Sequence, residues 1–186
     1  NEVIAFSYSS TIYIRGSGIC FGHGWWTVIA ESYRNIGIAP RLYELREEKM
    51  RRDLGLFGAK NLDAIFIDVN DPTKMTSSEL KTEKKLKRDP YRTMAIMKAQ
   101  GFVPLRFRHK TPALRKRKGV GYETFMVKPF NPEWIRVGGI PIVQMKVIYW
   151  YDYKHAYRKK PDTDPTFREV IMDMEKNAVD GIVKFG

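Results

Sequence analysis

Ile142-Val-Gln-Met-Lys-Val-Ile-Tyr-Trp-Tyr-Asp-Tyr153 is the stretch on which the fold class turns. Val143, Met145, Val147, Tyr149, Tyr151 and Tyr153 occupy successive odd positions, the two-residue period of a strand with one apolar face. A strand is therefore expected over 142–153, its odd side chains turned to the chain's own core. On that reading Ile148 and Trp150 point the other way, between Lys146 and Asp152. They make a face that is apolar at its centre and charged at its ends, the composition of a protein interface. Trp134, in the Pro-bounded Phe130-Asn-Pro-Glu-Trp134 segment, is assigned to the same kind of contact.

Upstream of this stretch a second strand is expected at 120–127, and Pro129, Pro132, Gly138-Gly139 and Pro141 predict an irregular connection. Downstream, Asp164 as cap and Pro165 as first helical residue introduce a last helix carrying Phe167, Ile171, Met174, Ala178 and Ile182. The chain opens with alternation over 3–14, another strand. Trp26, Ile29, Ala30 and Tyr33 have helical spacing, with Gly37 as terminator, and Tyr43, Glu47, Met50, Leu54 and Phe57 define an amphipathic helix over 41–57. Leu62–Val69 reads as a central strand, 77–88 and 90–100 as helices, and 103–107 as a strand with a cationic outer face. Helices and strands intermingle, but the last third is strand-dominated. That favours one α+β domain over 1–186, with a single mixed or antiparallel sheet covered on one face by helices, rather than a doubly wound parallel fold.

The charge is concentrated. Of 33 Lys and Arg against 21 Asp and Glu, residues 81–120 hold fourteen basic and two acidic side chains, which accounts for the whole net charge of +12. Such a block is an address for a polyanion. Lys84, Lys85, Lys87 and Arg88 on a helix, Arg106, Arg108 and Lys110 around a strand, and Arg115, Lys116, Arg117 and Lys118 in a loop are the expected contacts to phosphate. Tyr91, Phe102, Phe107 and Tyr122 lie among them, placed to stack on unpaired bases.

No catalytic constellation, metal site or cofactor is expected. Gly16-x-Gly18-x-x-x-Gly22 has some of the spacing of a dinucleotide-binding turn but lacks the fingerprint, and is assigned to packing. Cys20 and His23 are too few for zinc, and His109 and His155 lie in cationic surroundings. A single cysteine excludes an intrachain disulfide and suits a reducing compartment. The fifteen uncharged residues Gly16–Ala30 are too few to span a bilayer.

The expectation is thus a non-catalytic structural subunit of a large assembly, with structured RNA, as in a ribosome-like particle, as first partner and neighbouring protein subunits on the aromatic surfaces. The second reading is an accessory subunit of a membrane-associated respiratory or ATP synthase complex, its basic block on anionic lipid headgroups. A third is a nucleotide-dependent enzyme using the glycine loop at 16–24. The missing initiator Met and the basic charge suggest the mitochondrial matrix, or the matrix side of the inner membrane, with the cytoplasm as the other expectation.

Overall fold

A computed structural model describes residues 2–34, 36–111 and 121–186, with the side chains of 121 and 122 outside the description. The hydrogen-bonded order of the main sheet is β1 (Ala5–Ile14), β2 (Ile19–Ile29), β3 (Ala64–Asn70), β6 (Gly121–Pro129) and β4 (Val103–Pro104), with β5 (His109–Thr111) on β6, and a separate pair is formed by β7 (Gly139–Pro141) and β8 (Ile182–Lys184). The sheet mixes parallel and antiparallel pairs, so the class is α+β. By contact the chain divides into two compact units, Asn1–Ile67 with Val127–Asn131, and Asp68–Met126 with Pro132–Gly186.

In the first unit β1 (Ala5–Ile14) and β2 (Ile19–Ile29) form an antiparallel hairpin. Its tight turn needs a left-handed residue, and Gly18 supplies it with φ of 71°. The register slips between Tyr8 and Ser9, leaving Trp25 as an extra residue on β2, a bulge. Helix α1 (Ile38–Phe57) follows and leads into β3 (Ala64–Asn70), which pairs parallel to β2 from Phe21↔Ala64 to Gly24↔Ile67. The helix expected after Gly24 is not present. Trp26 and Ile29 lie on β2, whose extended backbone is held by β1 as far as Ala5↔Ile29. Gly22 and Gly24 are strand residues as well, and their role is steric. A Cβ on Gly22 would meet the Met50 sulfur, and one on Gly24 the Arg46 guanidinium, so the two glycines let α1 approach the sheet.

In the second unit α2 (Ser77–Lys85) is capped by Thr76 through a capping box with Glu79, one residue before the expected serines. Helix α3 (Pro90–Ala99) has the expected Asp89 cap. The next strand is shorter than 103–107, being only β4 (Val103–Pro104), and β5 (His109–Thr111) then pairs antiparallel with β6 (Gly121–Pro129). The connection expected to be irregular holds α4 (Pro132–Val137) and β7 (Gly139–Pro141). Helix α6 (Pro165–Asn177) starts as expected but ends early, giving way to β8 (Ile182–Lys184), the partner of β7.

The largest correction concerns 142–153, which is not a strand but part of a helix, α5 (Ile142–Tyr157). Its buried residues are Met145, Ile148, Tyr149, Asp152 and Tyr153, the i, i+3, i+4, i+7, i+8 stripe of a helix packed on a core. Tyr149 is the hub of that core. It stacks on Phe167 with ring centroids 5.6 Å apart and meets Phe107, Phe125 and Tyr153 at tilted or edge-on angles.

Candidate functional site

In the first unit the residues that can hold a ligand gather where α1 begins. Gly37, with φ of 86°, turns the chain into the helix, and no side chain caps it. The first turn contains no acidic residue, and Pro40 at its third position has no N–H to leave unpaired. Ile38 and Ala39 therefore point backbone N–H groups out of a 20-residue helix with no intrahelical acceptor, at its positive end. Three residues before Gly37, Arg34 donates from Nε to the Ile29 carbonyl at 3.2 Å, which tethers its guanidinium to the end of β2. Its two terminal amino groups have no protein acceptor among the described residues. Meanwhile β2 runs five residues past its last pair with β3, so among the described residues the Trp25–Val28 backbone has no strand partner on that side, while the Ile29 carbonyl there is taken by Arg34.

One further cation lies behind that edge. Arg46, two turns and more along α1, is 6% exposed, rests its guanidinium against Gly24 and sits 5.0 Å from the Tyr43 ring centroid. No carboxylate pairs with it among the described residues, its Nε is buried without a hydrogen bond, and burial pulls its pKa down. A lone buried guanidinium is costly, and an anionic ligand would offset that cost.

Cys20 and His23 are three residues apart on a strand, so their side chains leave opposite faces and cannot share a metal ion. Burial, with Asp63 and Asp53 nearby, pushes the Cys20 thiol up to about 11. Cys20 is accordingly expected to resist Ellman's reagent at pH 8 in the folded chain and to react fully once urea unfolds it. Rapid reaction of the folded protein would contradict this placement.

In the second unit His109, from β5, lies 3.0 Å from Asp68 through Nε2 and 3.1 Å from the Tyr149 hydroxyl through Nδ1. Asp68 Oδ2 accepts from the Tyr157 hydroxyl at 3.4 Å, and Glu123 stands across from His109 in the β5–β6 register. Burial, followed by the charges of Asp68 and Asp152, drives the Tyr149 hydroxyl far above the usual tyrosine range. The cationic surroundings expected for His109 are thus corrected. A count of charges along the chain could not show that the sheet brings carboxylates to it.

Of the expected polyanion contacts, Lys84, Lys85, Lys87 and Arg88 are exposed on α2 and just after it, and Arg106 and Arg108 are exposed beside β5. Arg108 offers its backbone N–H to Asp173, and Lys110 pairs with Glu169 at 2.5 Å. Arg115, Lys116, Arg117 and Lys118 lie outside the described residues. Phe102 and Phe107 are buried and have no face for a base. Trp134 and Ile148, expected at an interface, are buried in their own unit, and Trp134 donates to Gln144. Trp150 is half-buried on α5, bonded to Asp162 and covered by Lys154. The strand on which that interface was built does not exist.

No family profile matches this chain, and no curated protein sequence does. Among solved structures, a chain of the NatC complex bound to Gag peptide and CoA matches with a TM-score of 0.39 and 17% identity, over 68% of this chain and 61% of that one. Arabidopsis thaliana Naa50, in complex with the bisubstrate analogue CoA-Ac-MVNAL, matches with a TM-score of 0.39 and 14% identity, over 68% and 66%. This chain therefore spans less than two thirds of either relative, and a likeness of this size says nothing of substrate. The crystal structure of a putative acetyltransferase from Agrobacterium tumefaciens also matches, with a TM-score of 0.29 and 18% identity, over 68% of this chain and 76% of that one. With these neighbours the expected non-catalytic subunit, with its ribosomal, RNA-binding and respiratory-complex roles, is withdrawn.

Proposed function

We propose that this chain is an acyltransferase that binds an acyl-coenzyme A on its first unit. The observation that carries the reading is the start of α1: uncapped, free of acidic side chains in its first turn, entered through a left-handed glycine, and preceded in the chain by Arg34, whose guanidinium is tethered to the end of β2. Two adjacent phosphates suit such a helix end, because backbone N–H groups and the dipole both favour negative charge there. The open Trp25–Val28 edge supports the same ligand. A pantetheine arm carries two amides, and an extended amide chain can bond to an unpaired strand edge as an added strand does.

Arg46 lies eight residues beyond Ile38, about 12 Å along the helix axis, within reach of an extended pantetheine arm. Its charge behind Gly24 would stabilise negative charge developing on a thioester carbonyl held at the end of the β2–β3 ladder. Transfer moves the acyl carbon from sulfur to the acceptor nitrogen. The nitrogen loses a proton, and coenzyme A leaves as the thiol.

The test is calorimetry on the whole chain with coenzyme A, acetyl-coenzyme A and pantetheine. Saturable binding of the first two, with pantetheine much weaker because it lacks the pyrophosphate, is the expected result. Absence of binding for all three at millimolar ligand would overturn the proposal.

A further inference from the structure

The geometry of the second unit points to a site for one divalent transition-metal cation, Zn²⁺ or Mn²⁺, held by Asp68, His109 and Glu123. It lies apart from the acyl-coenzyme A reading, which concerns the first unit alone. Three strands assemble the ligands. His109 opens β5 and Glu123 is its direct partner on β6, so their side chains leave the same face of the sheet. Asp68 lies on β3, which neighbours β6 in the sheet order. One ligand atom from each residue falls within 4.8 Å of the other two. Ligands bound to a common zinc at about 2.0–2.2 Å stand roughly 3–4 Å from one another. The 3.0 Å between His109 Nε2 and Asp68 Oδ1 already has that spacing, and small side-chain rotations would bring in the third ligand.

A second observation points into the same space. His109 is 1% exposed, and its Nε2 faces Asp68 without hydrogen-bond geometry, so a buried ring nitrogen is aimed at the ligand position. The groups behind the ligands have the arrangement that metal sites use. The Tyr149 hydroxyl oxygen, 3.1 Å from Nδ1, can accept a hydrogen bond from Nδ1–H, the tautomer that leaves the lone pair on Nε2, and Tyr149 is itself held against Phe167. Tyr157 takes the other oxygen of Asp68 and so turns Oδ1 toward His109. Asp68 and Glu123 are only partly buried, which leaves a route in and positions open for water. One imidazole with two carboxylates suits zinc or manganese better than calcium or magnesium, which prefer all-oxygen sites.

The experiment titrates the chelator-stripped whole chain with Zn²⁺ and Mn²⁺ by calorimetry, and with Co²⁺ by visible absorption. One equivalent is expected to bind. His109→Gln and Glu123→Gln should each weaken it by about 100-fold, and Tyr149→Phe by about 10-fold with the fold retained. His155→Gln, on an exposed part of α5, should change nothing. If His109→Gln fails to fold, the partly exposed Glu123→Gln decides alone. No saturable binding, or binding that survives Glu123→Gln, would overturn the proposal and leave His109 and Asp68 as a structural ion pair.

Discussion

Tyr149→Ala is expected to cost the second unit about 4 kcal/mol, a large share of the roughly 5–15 kcal/mol that holds an ordinary domain folded, whereas Val143→Ser should stay within about 0.5 kcal/mol of the parent. The two residues share a face in any strand over 142–153, so a strand would make both substitutions expensive. In helix α5 they part company: Tyr149 is 0% exposed and Val143 is 71% exposed. Alanine at 149 removes a ring that packs on Phe107, Phe125, Tyr153 and Phe167 and leaves a cavity among rigid aromatics, which cannot collapse to fill it. Urea unfolding monitored by circular dichroism gives both values. Equal losses would restore the strand and contradict the helix.

The second large effect concerns ligand rather than stability. Gly37→Val is expected to weaken coenzyme A binding by about 100-fold, since a β-branched residue cannot hold a φ of 86° and the turn that aims the Ile38 and Ala39 N–H groups must open. Each hydrogen bond to a charged group is worth about 1.5–3 kcal/mol, so loss of one or two gives that factor. The Cβ itself meets nothing within 4 Å, so a loss of affinity would come from the backbone and not from a clash inside the fold. Arg34→Gln should weaken binding by a smaller factor and make it less sensitive to salt, because one cation is removed. Tight binding by Gly37→Val would place the phosphates elsewhere.

How much of this could be read from the chain differs from element to element. Helix α1, strand β3 and the starts of α3 and α6 carry local signals, a proline in a first turn, an aspartate cap or a β-branched run between turn residues, and each lies where expected. The 142–153 stretch misled because nearly every residue in it is apolar, so a period of two and a period of 3.6 both fit. Aromatic and β-branched side chains then tip the choice toward a strand. Gly22 and Gly24 looked like loop residues, but their reason is Met50 and Arg46, more than twenty positions away on α1.

The candidate ligand positions divide in the same way. Gly37 was expected to end a helix, and it begins one. The missing acid in the following turn and the nearby Arg34 were visible signs of an anion-binding end. The grouping of His109, Asp68 and Glu123 had no sequence sign at all. It depends on a register between β5 and β6 and on β3 lying next to β6, pairings between segments that are not adjacent in the chain.

The central claim, that the start of α1 receives the phosphates of an acyl-coenzyme A, is tested most directly by titrating coenzyme A into the ¹⁵N-labelled chain and following backbone amide resonances. The account predicts that the largest shifts fall on Ile38 and Ala39, with smaller ones along Trp25–Val28, and that in Gly37→Val they need about 100-fold more ligand. Saturable shifts confined to other residues, or none at millimolar ligand, would contradict it.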